Sequence, residues 1–194
     1  MKKFELIAGL VAVIAIVLKL IHIRGCGAIL MLSFSTLSLF YYFSFAFFNN
    51  IRFKDILKSK AYKKTNPKRI IGAIGVGFGL EVIIMGALFK FQFWMGGSTQ
   101  LTMGLVLIGV ILIVALIFYF RNKSEFYLKI FKRIAIIGGL GLIILLTPSS
   151  KIVDIYFRNN PEYAELYKKV LADPDNMELR DQLDKKKYSH EETE

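Results

Sequence analysis

The chain has 194 residues, 55% of them hydrophobic and 14% aromatic, with a mean hydropathy of +0.49. Such apolar content exceeds that of soluble domains and is gathered into runs of about 20 residues, the length that crosses a hydrocarbon core of about 30 Å. The net charge of +11 is uneven: from residue 150 onward 8 Lys/Arg face 11 Asp/Glu, while the first 149 residues hold 18 against 4. Positive charge that flanks apolar runs marks cytoplasmic loops rather than a nucleic-acid surface, so no nucleic-acid partner is expected. The single cysteine, Cys26, excludes an internal disulfide and a cysteine metal cage.

In chain order, the first apolar segment runs from Phe4 to Ile23 and the second from Gly27 to Phe48. The link Arg24–Gly27 is short enough for only a tight turn, so residues 1–49 read as a transmembrane hairpin. The first segment ends without a small-residue cleavage site and reads as a retained anchor. Residues 50–69 form a basic loop with eight Lys/Arg opposed only by Asp55. Segments Ile70–Trp94 and Leu101–Phe120 make a second hairpin, residues 70–120, around a Gly96-Gly97-Ser98-Thr99 turn. A second basic loop, 121–133, precedes a short apolar run, 134–147, expected as a fifth crossing. Fourteen residues reach only about 21 Å as a helix, so snorkelling Lys132 and Arg133 would have to extend it.

Residues 148–194 read as a polar helical tail. Tyr163, Leu166, Tyr167, Val170 and Leu171 fall on one helical face, a stripe expected to dock on the membrane domain or on a partner. Asp173-Pro174 resembles the cap and first residue of a further helix. The fold class is therefore all-α: two tandem transmembrane hairpins, a fifth short span and a helical tail. Lys/Arg density places the N-terminus and both basic loops in the cytoplasm, and the two turns and the tail on the far side.

The hairpins match each other at an offset of 71 residues, with Lys19 on Lys90, Gly25 on Gly96 and Val11 on Val82; one extra turn residue then brings Met31 onto Met103. The shared order is basic flank, apolar run, Lys, turn, apolar run.

Leu18-Lys19-Leu20-Ile21-His22 followed by Gly25, and Gly86-Ala87-Leu88-Phe89-Lys90-Phe91 followed by Gly96, resemble the hairpin of the GldL-type membrane subunits of Bacteroidetes gliding motility and type IX secretion. The resemblance covers some 35 residues of each hairpin, here present twice. It implies a bacterial inner-membrane protein that assembles with itself or with other membrane subunits, in a family whose hairpin forms a motor ring with a partner and is thought to use the proton gradient. The family carries a carboxylate in the second helix of the hairpin, whereas segments two and four here hold no Asp or Glu. The family's long cytoplasmic C-terminal region has no counterpart.

Among single residues, Glu81 stands out as a carboxylate near the middle of an apolar segment. It reads as hydrogen-bonding glue toward Ser33, Ser35, Thr36, Ser38, Tyr41 or Tyr42, as an ion or proton site, or as a lipid or cofactor contact. Lys19 and Lys90 read as snorkelling cations near the far interface or as functional charges facing a partner. His22 reads as an interfacial hydrogen-bonding residue; with His190 the only other histidine, a metal site is not expected. No metalloprotease, phosphate-loop or serine-elbow motif is present, so neither an enzyme nor a cofactor is expected. Gly75 and Gly79 fit a helix contact of small residues. The resulting expectation is a non-catalytic membrane scaffold or accessory subunit, with a proton or ion conduit centred on Glu81 as the alternative.

Overall fold

The computed structural model describes residues 2–191 except His22, Arg24, Asn50, Leu57 and Lys64. The described chain is all-helical. Helices α1 (Lys2–Leu20) and α2 (Cys26–Tyr42) form the first hairpin, and after a break at Phe43 a short α3 (Ser44–Phe48) completes the second segment, which sequence reads as unbroken. The 50–69 loop contains two single turns of 3-10 helix. Asn66 then caps Lys68 N–H with its side chain, and Pro67 opens α4 (Pro67–Phe91) at the position where a missing N–H costs nothing. Helix α5 (Gly97–Asn122) returns beside it. Its first residue is Gly97, so the chain reverses over residues 92–96 and the anticipated Gly96–Thr99 turn is mostly helix.

Helices α4 and α5 are both long and apolar enough to cross a membrane, with mean hydropathies of 2.1 and 3.0 over their most apolar stretches. Helix α4 is the central column, touching α2, α3 and α5. Backbones come close because side chains are missing where they meet. A Cβ at Gly86 would lie 2.7 Å from the Leu101 nitrogen, and one at Gly97 would lie 2.7 Å from the Lys90 nitrogen. Gly75 and Gly79 also face α5, against Ile111 and Ile108.

The 121–133 segment is not a loop. Ser124 caps Phe126 N–H and starts α6 (Glu125–Arg133), which continues through a π-helical stretch, Ile134–Gly138, into α7 (Gly139–Leu146). Charges hid this helix because it is amphipathic: Phe126 and Ile130, one turn apart, are buried, while its lysines lie off that face. The rod from Glu125 to Leu146 is about 33 Å long at 1.5 Å per residue, enough for a core of about 30 Å. The shortfall attached to 134–147 alone therefore disappears.

After Leu146 the chain bends by 84° into α8 (Ser149–Tyr156), followed by α9 (Pro161–Ala172) and α10 (Met177–Glu191). Asn160 caps Tyr163 N–H and Pro161 opens α9. Asp173 closes α9 rather than capping the next helix; the cap of α10 is Asn176, which accepts from Leu179 N–H.

Candidate functional site

Each hairpin reverses through the same backbone device. Gly25 has φ +80° and Gly96 φ +84°, the left-handed region that glycine enters without steric cost, and each precedes the returning helix. Three turn hydrogen bonds recur at the 71-residue offset. Ile21 N–H to Val17 C=O matches Gln92 to Leu88; Ile23 to Leu18 matches Trp94 to Phe89; Ile29 to Gly25 matches Gln100 to Gly96. The structural repeat thus extends beyond the few identities in sequence.

Polar side chains enter the bundle in layers. At the end holding the start of α1, Arg133 reaches Glu5 through two charge-assisted bonds, Nε to Oε1 at 2.7 Å and Nη2 to Oε2 at 2.5 Å. The Tyr41 hydroxyl donates to the same carboxylate, and the Arg133 guanidinium lies over the Phe48 ring at 5.0 Å. This cluster joins α1, α2, α3 and α6.

One turn further along α2, the Ser38 hydroxyl donates to Glu81 Oε1 at 2.9 Å. Of the six polar groups that sequence offers Glu81, the fold selects Ser38. Tyr41 instead serves Glu5. Beyond this layer Ser33 is buried but turns its hydroxyl back onto the Leu30 carbonyl of its own helix. The packing is then apolar: Ala15, Leu30, Ile84 and Leu88 are all nearly inaccessible.

At the turn end lie Lys19 and Lys90, and neither snorkels outward. They are 8% and 5% exposed because each finds acceptors inside the bundle. Lys19 donates to Gln92 Oε1 at 2.6 Å, and the Gln92 amide donates onward to the Gly27 carbonyl at 3.0 Å, tying the two turns together. The Lys19 ammonium also sits 5.4 Å from the Phe93 ring and 5.5 Å from the Tyr156 ring, within reach of their π faces. Lys90 donates to the carbonyls of Ile144 and Leu145 at 2.7 and 3.1 Å, capping the negative end of α7. Residues 71 apart thus hold different partners. His22 lies outside the described residues.

The tail stripe finds its surface within the chain. Phe93 of the second turn meets Tyr156, Phe157 and Tyr167 at ring separations of 5.5, 6.0 and 5.4 Å, and Tyr163 packs on Phe157 at 4.7 Å. Tyr163 is buried; Leu166, Tyr167, Val170 and Leu171 are half-buried. Burial pushes the Tyr156 and Tyr167 phenols above their ordinary range.

Sequence reasoning missed Glu5, Gln92 and Phe93, and it read Arg133 as a snorkelling cation, whereas Arg133 turns inward because Glu5 offers it a carboxylate. Only Glu5 carried a signal, as the one carboxylate before Asp55 and within an apolar run. Among the described residues no group of His, Cys, Asp and Glu could hold a metal ion. Comparison with known protein families, curated proteins and solved structures finds no match for this chain.

Proposed function

We propose that the chain is a non-catalytic, multi-pass scaffold or accessory subunit of a bacterial inner-membrane complex. In this reading both hairpins and the Glu125–Leu146 rod cross the bilayer, the N-terminus is cytoplasmic and the tail lies on the far side. The observation that carries it is the internal pairing of the charged groups; among the described residues the one buried side-chain polar atom left without a partner is the neutral Ser44 Oγ. Glu5 is held by Arg133 and Tyr41, Glu81 by Ser38, Lys19 by Gln92 and Lys90 by two carbonyls. A conduit needs polar groups at successive depths, whereas Leu30 and Leu88 separate the Glu81 layer from the lysines.

The outward faces suit lipid and other subunits. Helix α5 exposes Met103, Val106, Val110, Ile113 and Ile117, an apolar stripe with room for a neighbouring helix or a second copy. The repeated turn geometry supports a duplicated hairpin, and the resemblance of its sequence to the GldL-type hairpin would place the chain among accessory proteins of gliding or secretion machinery.

Proteoliposomes loaded with a pH-sensitive dye separate the scaffold from its rival. Wild type and Glu81→Gln should both dissipate an imposed proton gradient no faster than protein-free vesicles. A wild-type flux abolished by Glu81→Gln would replace the scaffold with a conduit. A photo-crosslinker at Val110 in living cells should yield one discrete adduct, and a smear of lipid adducts alone would remove the subunit role.

A further inference from the structure

Between the second turn and the tail lies a cleft of about 350 Å³, a volume typical of small-ligand sites. Its lining includes cations and donors: Lys90, Arg180 and the first residues of α5, Gly97 and Ser98. Lys90 is 95% buried, and its two bonds go to uncharged carbonyls; no carboxylate is paired with it among the described residues. An ammonium has three N–H donors, so one remains for a ligand. Arg180 is exposed, and its guanidinium meets the Met95 sulfur at 3.7 Å. Helix α5 starts without a side-chain cap and without an acid in its first turn, so its unsatisfied N–H groups add positive potential.

Among the described residues no Asp or Glu lines the cleft. The same lining holds apolar groups, Trp94, Tyr167 and Leu171. Trp94 and Met95 are exposed, 44% and 61%, at the end of two apolar helices. In a bilayer crossed by α4 and α5, that end is the depth at which tryptophan sits among lipid headgroups.

We propose that this cleft binds the phosphate of an anionic phospholipid, with the phosphate oxygens at Lys90, Arg180 and the α5 N-terminus and the acyl portion along Trp94 and Met95. A hydrophobic wall beside a buried, uncompensated cation suits an amphiphilic anion better than a soluble one. The inference goes beyond the scaffold role and requires only that the second turn lie at a membrane surface.

Trp94 is the single tryptophan of the chain, so its fluorescence reports on the cleft directly. The full chain is reconstituted in phosphatidylcholine bilayers containing a few mole per cent of brominated phosphatidylglycerol, or of brominated phosphatidylcholine. Brominated phosphatidylglycerol should quench Trp94 at far lower mole fraction than its zwitterionic counterpart. Arg180→Gln, a change at an exposed position, should weaken that preference about tenfold, the scale of a lost charged hydrogen bond. Millimolar inorganic phosphate should not restore emission. Equal quenching by both lipids overturns anionic recognition, and an unchanged Arg180→Gln variant removes the headgroup from the cleft. Reversal by inorganic phosphate makes the site one for a free anion and overturns the lipid. Quenching by brominated phosphatidylcholine at high mole fraction independently establishes that the turn lies in the bilayer, so a failure of the lipid proposal is distinguishable from a failure of the membrane reading.

Discussion

Glu5 and Arg133 are 128 positions apart, and inside an apolar bundle each makes the other tolerable. Removing one partner of such a pair leaves a charge that low-dielectric packing cannot solvate. Arg133→Leu should therefore destabilise the detergent-solubilised protein by roughly 3–5 kcal/mol, read from its unfolding midpoint. Adding Glu5→Gln should recover most of the loss, since a neutral amide can still accept from Tyr41. If Arg133→Leu melts with the wild type, the cluster is solvated and does not bind the helices. Glu81 answers to a milder version of the same physics. Glu81→Gln keeps an acceptor for Ser38, whereas Glu81→Leu should cost about 1 kcal/mol, the net value of an ordinary hydrogen bond. Sequence identifies Glu81 as a residue that must be satisfied, yet which of six hydroxyls satisfies it depends on the rotation of α2 against α4. Lys19 and Lys90 are misread from sequence for a related reason. Snorkelling is the default for a lysine near an interface, but here Gln92 and the end of α7 provide acceptors that only folding brings close.

At the scale of elements, the α4–α5 pair shows where local composition suffices. Two long apolar runs and a glycine-rich reversal define that hairpin without any tertiary information. Its tightness is more selective than the glycine pattern suggests. A methyl group at Gly75 would meet Ile111 Cδ1 at 3.3 Å, the far end of a side chain able to turn aside. One at Gly86 would meet the Leu101 backbone nitrogen at 2.7 Å, which can move only with its helix. Gly86→Ala should therefore cost about 1–3 kcal/mol, the range of overpacked cores. Gly75→Ala should cost less, and equal losses in unfolding midpoint would mean that the helices adjust as rigid bodies. The Glu125–Leu146 rod is the opposite case. Its first half looks like a charged loop and its second like a truncated span, because hydropathy averages hide the buried Phe126 and Ile130. Their four-residue spacing was legible, but the basic residues around them pointed to a cytoplasmic loop.

For the whole molecule, the question is which side the tail occupies and what keeps it there. Arg69 bonds Ser124 at one end of the bundle, and Lys90 bonds the end of α7 at the other, so the rod runs its full depth and delivers the tail to the turn end. On a Cys26→Ser background, cysteines replacing Ser98 and Asp175 should react with an impermeant thiol probe from the same side, and one replacing Lys60 from the opposite side. Reaction of the Asp175 position from the Lys60 side would mean that the rod does not cross. The apolar stripe of α9 was visible in sequence as a surface in need of cover; that its cover is Phe93 was not, because nothing local marks a turn aromatic as an anchor. Tyr156 and Tyr167 have raised phenol pKa values, so the protonated form favours the docked state. Docking should be intact below about pH 10, the ordinary phenol value, and weaken as pH rises through the higher folded values. Phe93 has φ +59°, an uncommon conformation for a bulky residue, which makes the decisive test a glycine. Phe93→Gly removes the ring but adopts that φ freely, so the turn persists while the aromatic cluster loses its centre. The variant's tail should be cleaved by protease between Pro148 and Pro161 at least several-fold faster than the wild type's, with α4 and α5 still protected, because a half-buried Phe contributes half of the roughly 1.5–3 kcal/mol of full burial. Equal cleavage of the two would show that the tail is not held by Phe93, and loss of protection over α4 and α5 would show that the ring supports the hairpin itself.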